Sequence, residues 1–228
     1  YRTYRQSTEH NVLLADIEQL YDQFAYGVRK HPSCIREFAR YMIDEAPNDP
    51  KNMLLLGRAV NNRCNRTSET CYSDNAIPTW GFPGSDNYYT AFMNGTLLES
   101  AIPTGRIAAT TALEVTNYIN KLSEWEAEQE VSSINQTIAN RDWQKRVIHF
   151  GGGSNSSEQS TFRNYLGNYT DTIRSPKFGG WVYSFFKNTT DPIQQNVTDS
   201  VADLVNNGVS MMTFFGHASG SSFDISIG

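Results

Sequence analysis

No apolar stretch in the 228 residues approaches the length needed to cross a bilayer, so no transmembrane helix is expected. The opening Tyr1-Arg2-Thr3-Tyr4-Arg5 lacks the basic-then-apolar pattern of a secretory signal. That leaves either a cytosolic protein or a segment cut from a longer precursor. The abrupt close at Ile227-Gly228 is expected to mark an excised segment. Positive charge is also scarce, with 19 Lys and Arg against 24 Asp and Glu, a net charge of −5 and no basic run. Binding to a phosphate backbone needs a basic patch, which argues against nucleic acid as the main partner.

Cysteine is limited to Cys34, Cys64 and Cys71, an odd count that makes no disulfide framework. Cys64 and Cys71 share a polar loop and can pair with each other, which would suit an oxidising compartment. Zinc is disfavoured, because no second Cys or His pair stands near at ligand spacing. Cys34 falls in a helical pattern and reads as a packed thiol. Low-complexity tracts and solenoid repeats are missing as well.

What is present suits a globular α/β protein. Hydrophobic residues make up 39% and aromatics 12%, enough for one large domain or two small ones. Asn11–Ile17 reads as a buried strand and Tyr21–Gly27 as a loop. Ile35, Phe38, Ala39 and Met42 have helical spacing, ending before Pro47. Met53–Gly57 reads as a second strand, and the polar connection 61–87 carries turn signals at Pro78, Gly81, Pro83 and Gly84. A short strand is expected at GRIAAT. Thr111 and Glu114 then form a capping box, and Val115, Tyr118, Ile119, Leu122 and Trp125 fall on one helical face. Residues 126–142 read as a link between the halves 1–140 and 141–228.

The second half alternates regularly. RVIHF at 146–150 is a strand, a helix runs from Glu158 to Leu166 with a stop at Gly167, and WVYSFF at 181–186 is a strand. Ile193, Val197, Val201, Leu204 and Val205 give a helix closed by Asn206-Asn207-Gly208, and VSMMTFF at 209–215 is the last strand. This order predicts a parallel sheet flanked by helices.

In such a sheet, sites form beyond the carboxyl ends of strands. Two loops hold that position, Gly151–Glu158 and Gly216–Gly220. The glycines at 151–153 lack the G-x-G-x-x-G spacing and no Walker lysine follows, so nucleotide binding is disfavoured. His217 follows a very apolar strand between small residues, Gly216 and Ala218. An imidazole there can serve as general base or acid, or simply end a strand. His149 reads as a core or face residue, and His10 and His31 have no partners at useful spacing. Seven N-x-S/T triplets occur in an Asn- and Thr-rich sequence and need not be glycosylated.

VSMMTFFGHASGSSFDISIG resembles the strand-plus-GH segment of the gingipain-type cysteine peptidases, relatives of the caspases that include the sortase-like peptidases of the type IX secretion system. AIPTGRIAATTALEVTNYINKLSEWE resembles that family's P-x-GR strand and following helix. HNVLLADIEQLYDQFAYG, HPSCIREF and MLLLGRA resemble its first strand, helix and second strand, so the resemblance spans nearly the whole chain.

The resemblance implies a caspase-like fold of two side-by-side α/β subdomains and a Cys-His dyad with His217 as base. It places the nucleophile after a later strand, whereas no cysteine follows Cys71 here. The segment is therefore expected to be inactive alone. The resemblance also implies an oxyanion-binding backbone around Gly216 and Ala218, where many relatives have glycine at 218. Glu158 is the candidate orienter of the histidine, or else an acidic residue favoured in a helix's first turn. Phe223 and Asp224 are candidates to line a substrate pocket, or ordinary strand residues.

Protein or peptide substrates and a secreted, cell-surface or outer-membrane location in bacteria follow from the same likeness. No cofactor is expected beyond structural calcium, for which the Ser73–Asn87 loop with Asp74 and Asp86 is the candidate, or else a solvated turn. The alternative is a non-catalytic module that keeps the fold for binding or scaffolding in a secretion or adhesion protein.

Overall fold

A computed structural model describes residues 1–47, 50–129, 137–193, 198–218 and 222–225. The chain divides into two compact units, Tyr1–Glu130 and Val131–Gly228, where the sequence reading set the boundary at 140/141. Both units are mixed α/β with parallel strands, as the sequence predicts.

The first unit opens with a short helix, α1 (Arg2–Ser7). Helix α2 (Ile17–Phe24) follows and corrects the reading of 11–17 as a buried strand and of 21–27 as a loop. Leu13 and Leu14 are 66% and 63% exposed and belong to no strand. Two local signals favour the helix. Asp16 accepts from the Glu18 N–H at 3.0 Å, as an N-cap does. Ile17, Leu20, Tyr21 and Phe24 recur at helical spacing, so one face is apolar.

That face meets helix α3 (Ser33–Glu45), predicted from its own spacing. Leu20, Tyr21, Ala25, Cys34 and Ile35 join Leu55 and Tyr89 in one core cluster. Strands β1 (Met53–Leu56) and β2 (Thr104–Ile107) pair in parallel, Met53 opposite Thr104 and Leu56 opposite Ile107.

The long connection after β1 contains two helices, α4 (Asn62–Thr67) and α5 (Glu69–Asp74), joined by a Cys64–Cys71 disulfide. Asn61 and Ser68 cap them by accepting from Cys64 N and Cys71 N. Arg106 of β2 ties the connection to the sheet. It donates to the carbonyls of Gly57, Ile77 and Pro78 and to both oxygens of Asp86. Helix α6 (Ala112–Gln129) closes the unit. Its capping box forms as expected, with Thr111 Oγ1 accepting from Glu114 N at 3.3 Å and Glu114 Oε2 accepting from Thr111 N at 3.1 Å.

The second unit begins with the short α7 (Ile138–Arg141) and a 3-10 turn over Asp142–Lys145. Strand β3 (Arg146–Gly151) then forms the centre of a parallel sheet, with β4 (Trp181–Phe186) and β5 (Met211–Phe215) on its two sides. All residues of β3 after Arg146 are buried, as a strand covered on both faces must be.

Helix α8 (Ser156–Arg174) packs on one face, where Leu166 lies over Gly151 and Thr170 beside His149. Helix α9 (Thr198–Asn206) covers the other, its Val201 clustering with Ile148 and Phe150. The chain steps from β3 to β4 and then back past β3 to β5, so right-handed crossovers require the helices on opposite faces.

Helix α8 passes through Gly167, where the sequence predicted a stop. A Cβ on Gly167 would meet nothing within 4 Å, so the glycine lies in open space. It costs the helix only about 1 kcal/mol relative to alanine, while Leu166 and Thr170 continue the inward face.

Candidate active site

The strands of the second unit end level. Gly151 pairs with Phe186 on one side and Phe215 on the other. The loops that leave β3 and β5 are therefore neighbours, and they bring Glu158 and His217 together.

Glu158 sits in the first turn of α8. Asn155 caps that helix by accepting from Glu158 N at 3.0 Å, and Glu158 Oε2 in turn accepts from Ser154 N at 2.8 Å. This reciprocal arrangement fixes the carboxylate to its own loop. The first-turn role is thus real, and the same oxygen has a second partner. His217 Nε2 lies 3.0 Å from Glu158 Oε2. Both side chains are partly exposed, His217 at 52% and Glu158 at 37%.

The Ser154 N–H, followed by the His217 contact, holds the Glu158 carboxyl below its ordinary range. Glu158 is therefore ionised at neutral pH and accepts the Nε2 proton. In the neutral ring the lone pair then lies on Nδ1, the nitrogen left to take a proton.

Aromatic rings flank the imidazole. Phe162 is 6.0 Å from the His217 ring and 4.8 Å from Phe215, and Tyr165 is 5.6 Å from Phe215. The sequence reading missed this wall. Its signal was there: Glu158, Phe162 and Tyr165 are spaced four and three apart, on one face of α8.

After His217 the chain turns back. Ala218 bridges Phe223 in antiparallel fashion, and Asp224 N donates to His217 O at 2.9 Å. That bond does not use the Ala218 N–H. Phe223 is 39% exposed and packs at 4.4 Å on Phe214. Asp224 is only 7% exposed. Its carboxylate enters the crevice between Gly152 and Gly216, accepts from Gly153 N at 2.7 Å and faces inward. Lys187, directly after β4, is 1% exposed with Nζ 4.0 Å from Asp224 Oδ2. The sequence reading did not single out this lysine.

The three cysteines lie in the first unit. Cys64 and Cys71 are oxidised to each other, and Cys34 is fully buried, which raises its thiol to about 12. In the loop considered for calcium, Asp86 is committed to Arg106, and Asp74 lies 3.7 Å from an Arg58 nitrogen. Among the described residues no group of three or more His, Cys, Asp or Glu gathers as a metal set would. No helix among them is long and apolar enough to cross a membrane.

Comparison with known families gives one finding: the model of peptidase family C25 matches residues 1–226. No curated protein and no solved structure matches the chain. With its parallel α/β units and nearly every residue covered by that match, the chain belongs to peptidase family C25, the gingipain family of cysteine peptidases.

Proposed function

We propose that this chain supplies the base of a cysteine-type endopeptidase or sortase-like transpeptidase acting on secreted or surface proteins. The thiol is a cysteine of the full-length protein outside these residues, since none of the three present is a free, accessible thiol. The observation that carries the reading is the 3.0 Å contact between His217 Nε2 and an ionised Glu158 at the carboxyl ends of β3 and β5. The Cys64–Cys71 disulfide supports an oxidising destination.

In this mechanism Nδ1 of His217 takes the thiol proton, and Glu158 stabilises the imidazolium that results. The thiolate attacks the peptide carbonyl carbon. Backbone N–H groups around Gly216 and Ala218 receive the oxyanion of the tetrahedral intermediate. Collapse breaks the C–N bond, and the imidazolium proton passes to the leaving amine. A thioester remains. Water resolves it in a peptidase, and an acceptor amine resolves it in a transpeptidase.

The test is an electrophilic thiol probe on the full-length protein, compared with H217A. Loss of the base is expected to slow labelling of one cysteine by about 10²–10⁴-fold. Equal labelling of both proteins would remove His217 from the role. Absence of any reactive cysteine would leave the non-catalytic binding module.

A further inference from the structure

Beneath the His217–Glu158 pair lies a carboxylate that the proposed chemistry does not consume. The three residues following the level strand ends are Gly152, Lys187 and Gly216, and all three surround Asp224. A Cβ on Gly152 would meet Asp224 Oδ1 at 2.1 Å, and one on Gly216 would meet it at 2.6 Å. Glycine at both places is what lets the carboxylate in.

Burying a lone carboxylate is costly, so the charge needs a partner. Lys187 provides one at 4.0 Å, and its Nζ also donates to Pro192 O at 3.4 Å. Such a buried pair adds little stability over an apolar pair of the same shape. Its value lies in where it fixes the chain.

We propose that Asp224 is the positioning residue for the His217–Glu158 pair, joining the loop after β3 to the loop after β5, with Lys187 neutralising its charge. The bonds form a closed ring. Asp224 Oδ2 accepts from Gly153 N at 2.7 Å, and the next amide, Ser154 N, donates to Glu158 Oε2 at 2.8 Å. That same oxygen meets His217 Nε2 at 3.0 Å, and His217 O accepts from Asp224 N at 2.9 Å. Gln159 Nε2 holds the Gly153 carbonyl from the other side at 3.1 Å. Releasing Gly153 frees Ser154, then the carboxylate, then the ring. At 7% exposure Asp224 presents little surface to a substrate.

The inference rests on His217 acting as the base, and its test needs no turnover. Ring nitrogen chemical shifts of His217 in the full-length protein, at a pH where the ring is neutral, report its tautomer and its bond to Glu158. The E158A variant supplies the released reference. K187M/D224L removes both charges together, keeps the branched outline of the aspartate and deletes the acceptor for Gly153. Its His217 shifts are expected to move to the E158A values. K187M/D224N restores an acceptor oxygen and is expected to return them to the wild-type values.

Wild-type shifts in K187M/D224L overturn the proposal, as do equal shifts in the two double variants. If a variant does not fold, hydrogen exchange on the wild-type protein decides. The Gly153 amide is expected to be protected although it lies in a loop, and rapid exchange there overturns the proposal. Cleavage assays on the same variants separate the two readings. Shifts that behave as expected without cleavage uphold the positioning role and sink the peptidase. Unimpaired cleavage by K187M/D224L sinks the positioning role alone.

Discussion

Arg106 and Asp86 meet through two parallel hydrogen bonds, Nε to Oδ2 at 2.7 Å and Nη2 to Oδ1 at 2.8 Å. The remaining guanidinium donors reach the carbonyls of Gly57, Ile77 and Pro78. The arginine side chain is 13% exposed. Its plane therefore satisfies backbone groups that a long connection would otherwise leave unpaired. R106A is expected to destabilise the protein by about 3 kcal/mol or more, because it leaves the Asp86 charge without its cation and strands the carbonyls of Gly57 and Ile77, while Pro78 O keeps the Tyr89 hydroxyl. R106K is expected to recover only a minor part, since one ammonium cannot match a planar fork. Urea midpoints of the three proteins test this, and a lysine variant as stable as wild type would refute it.

Glu158 has its pKa depressed by the Ser154 amide and then by His217. A depressed carboxyl contributes stability that is present above its ordinary 4.5 and lost as pH falls through the folded value. E158Q is expected to flatten that acid limb in thermal melts run downward from pH 4.5. On the proposed mechanism the same change is expected to lower kcat by about ten- to a hundredfold, through loss of a charged hydrogen bond to the imidazolium.

His149 is fully buried on β3, with Nδ1 3.4 Å from Thr170 Oγ1 and Nε2 without a partner among the described residues. Burial lowers its pKa below the ordinary 6.5. The neutral ring is thus favoured by folding, and the unfolded chain binds the proton more readily. Stability is expected to be fully present above 6.5 and to fall as pH drops from there through the folded value. H149L is expected to remove this dependence. A wild-type urea midpoint that does not change over the same pH range would contradict it.

Two glycines predict opposite outcomes. G167A places a methyl in open space within a helix and is expected to stabilise by about 0.8 kcal/mol. G152A drives a Cβ to within 2.1 Å of Asp224 Oδ1 and is expected to cost about 3 kcal/mol. Thermal melts of both should move in opposite directions.

Much of the second unit was legible in its sequence. RVIHF, WVYSFF and VSMMTFF are apolar runs bounded by polar or glycine-rich segments, and β3, β4 and β5 lie on them, β5 starting at Met211. The N-terminal reading failed because Asn11 to Ile17 imitates a strand run, while the helical pattern starts only at Ile17. His217 was visible as a strand-end residue, and Glu158 as a first-turn acid. Lys187 was not, because a lysine after an apolar strand ordinarily reads as solvent-exposed. Its burial depends on strand register, which places Phe186 level with Gly151 and Phe215. Register is a property of pairing, and no local pattern encodes it here.

The state of the three cysteines has a practical consequence for chemical labelling. Two are tied up as a disulfide, and the third is enclosed with its thiol raised to about 12. Electrophiles react with thiolates, so in the folded, oxidised protein these 228 residues form a silent background. An adduct found after mild treatment of the folded protein therefore does not come from these three cysteines. Signal from Cys34 would report that the first unit had opened, giving an internal alarm for damaged samples.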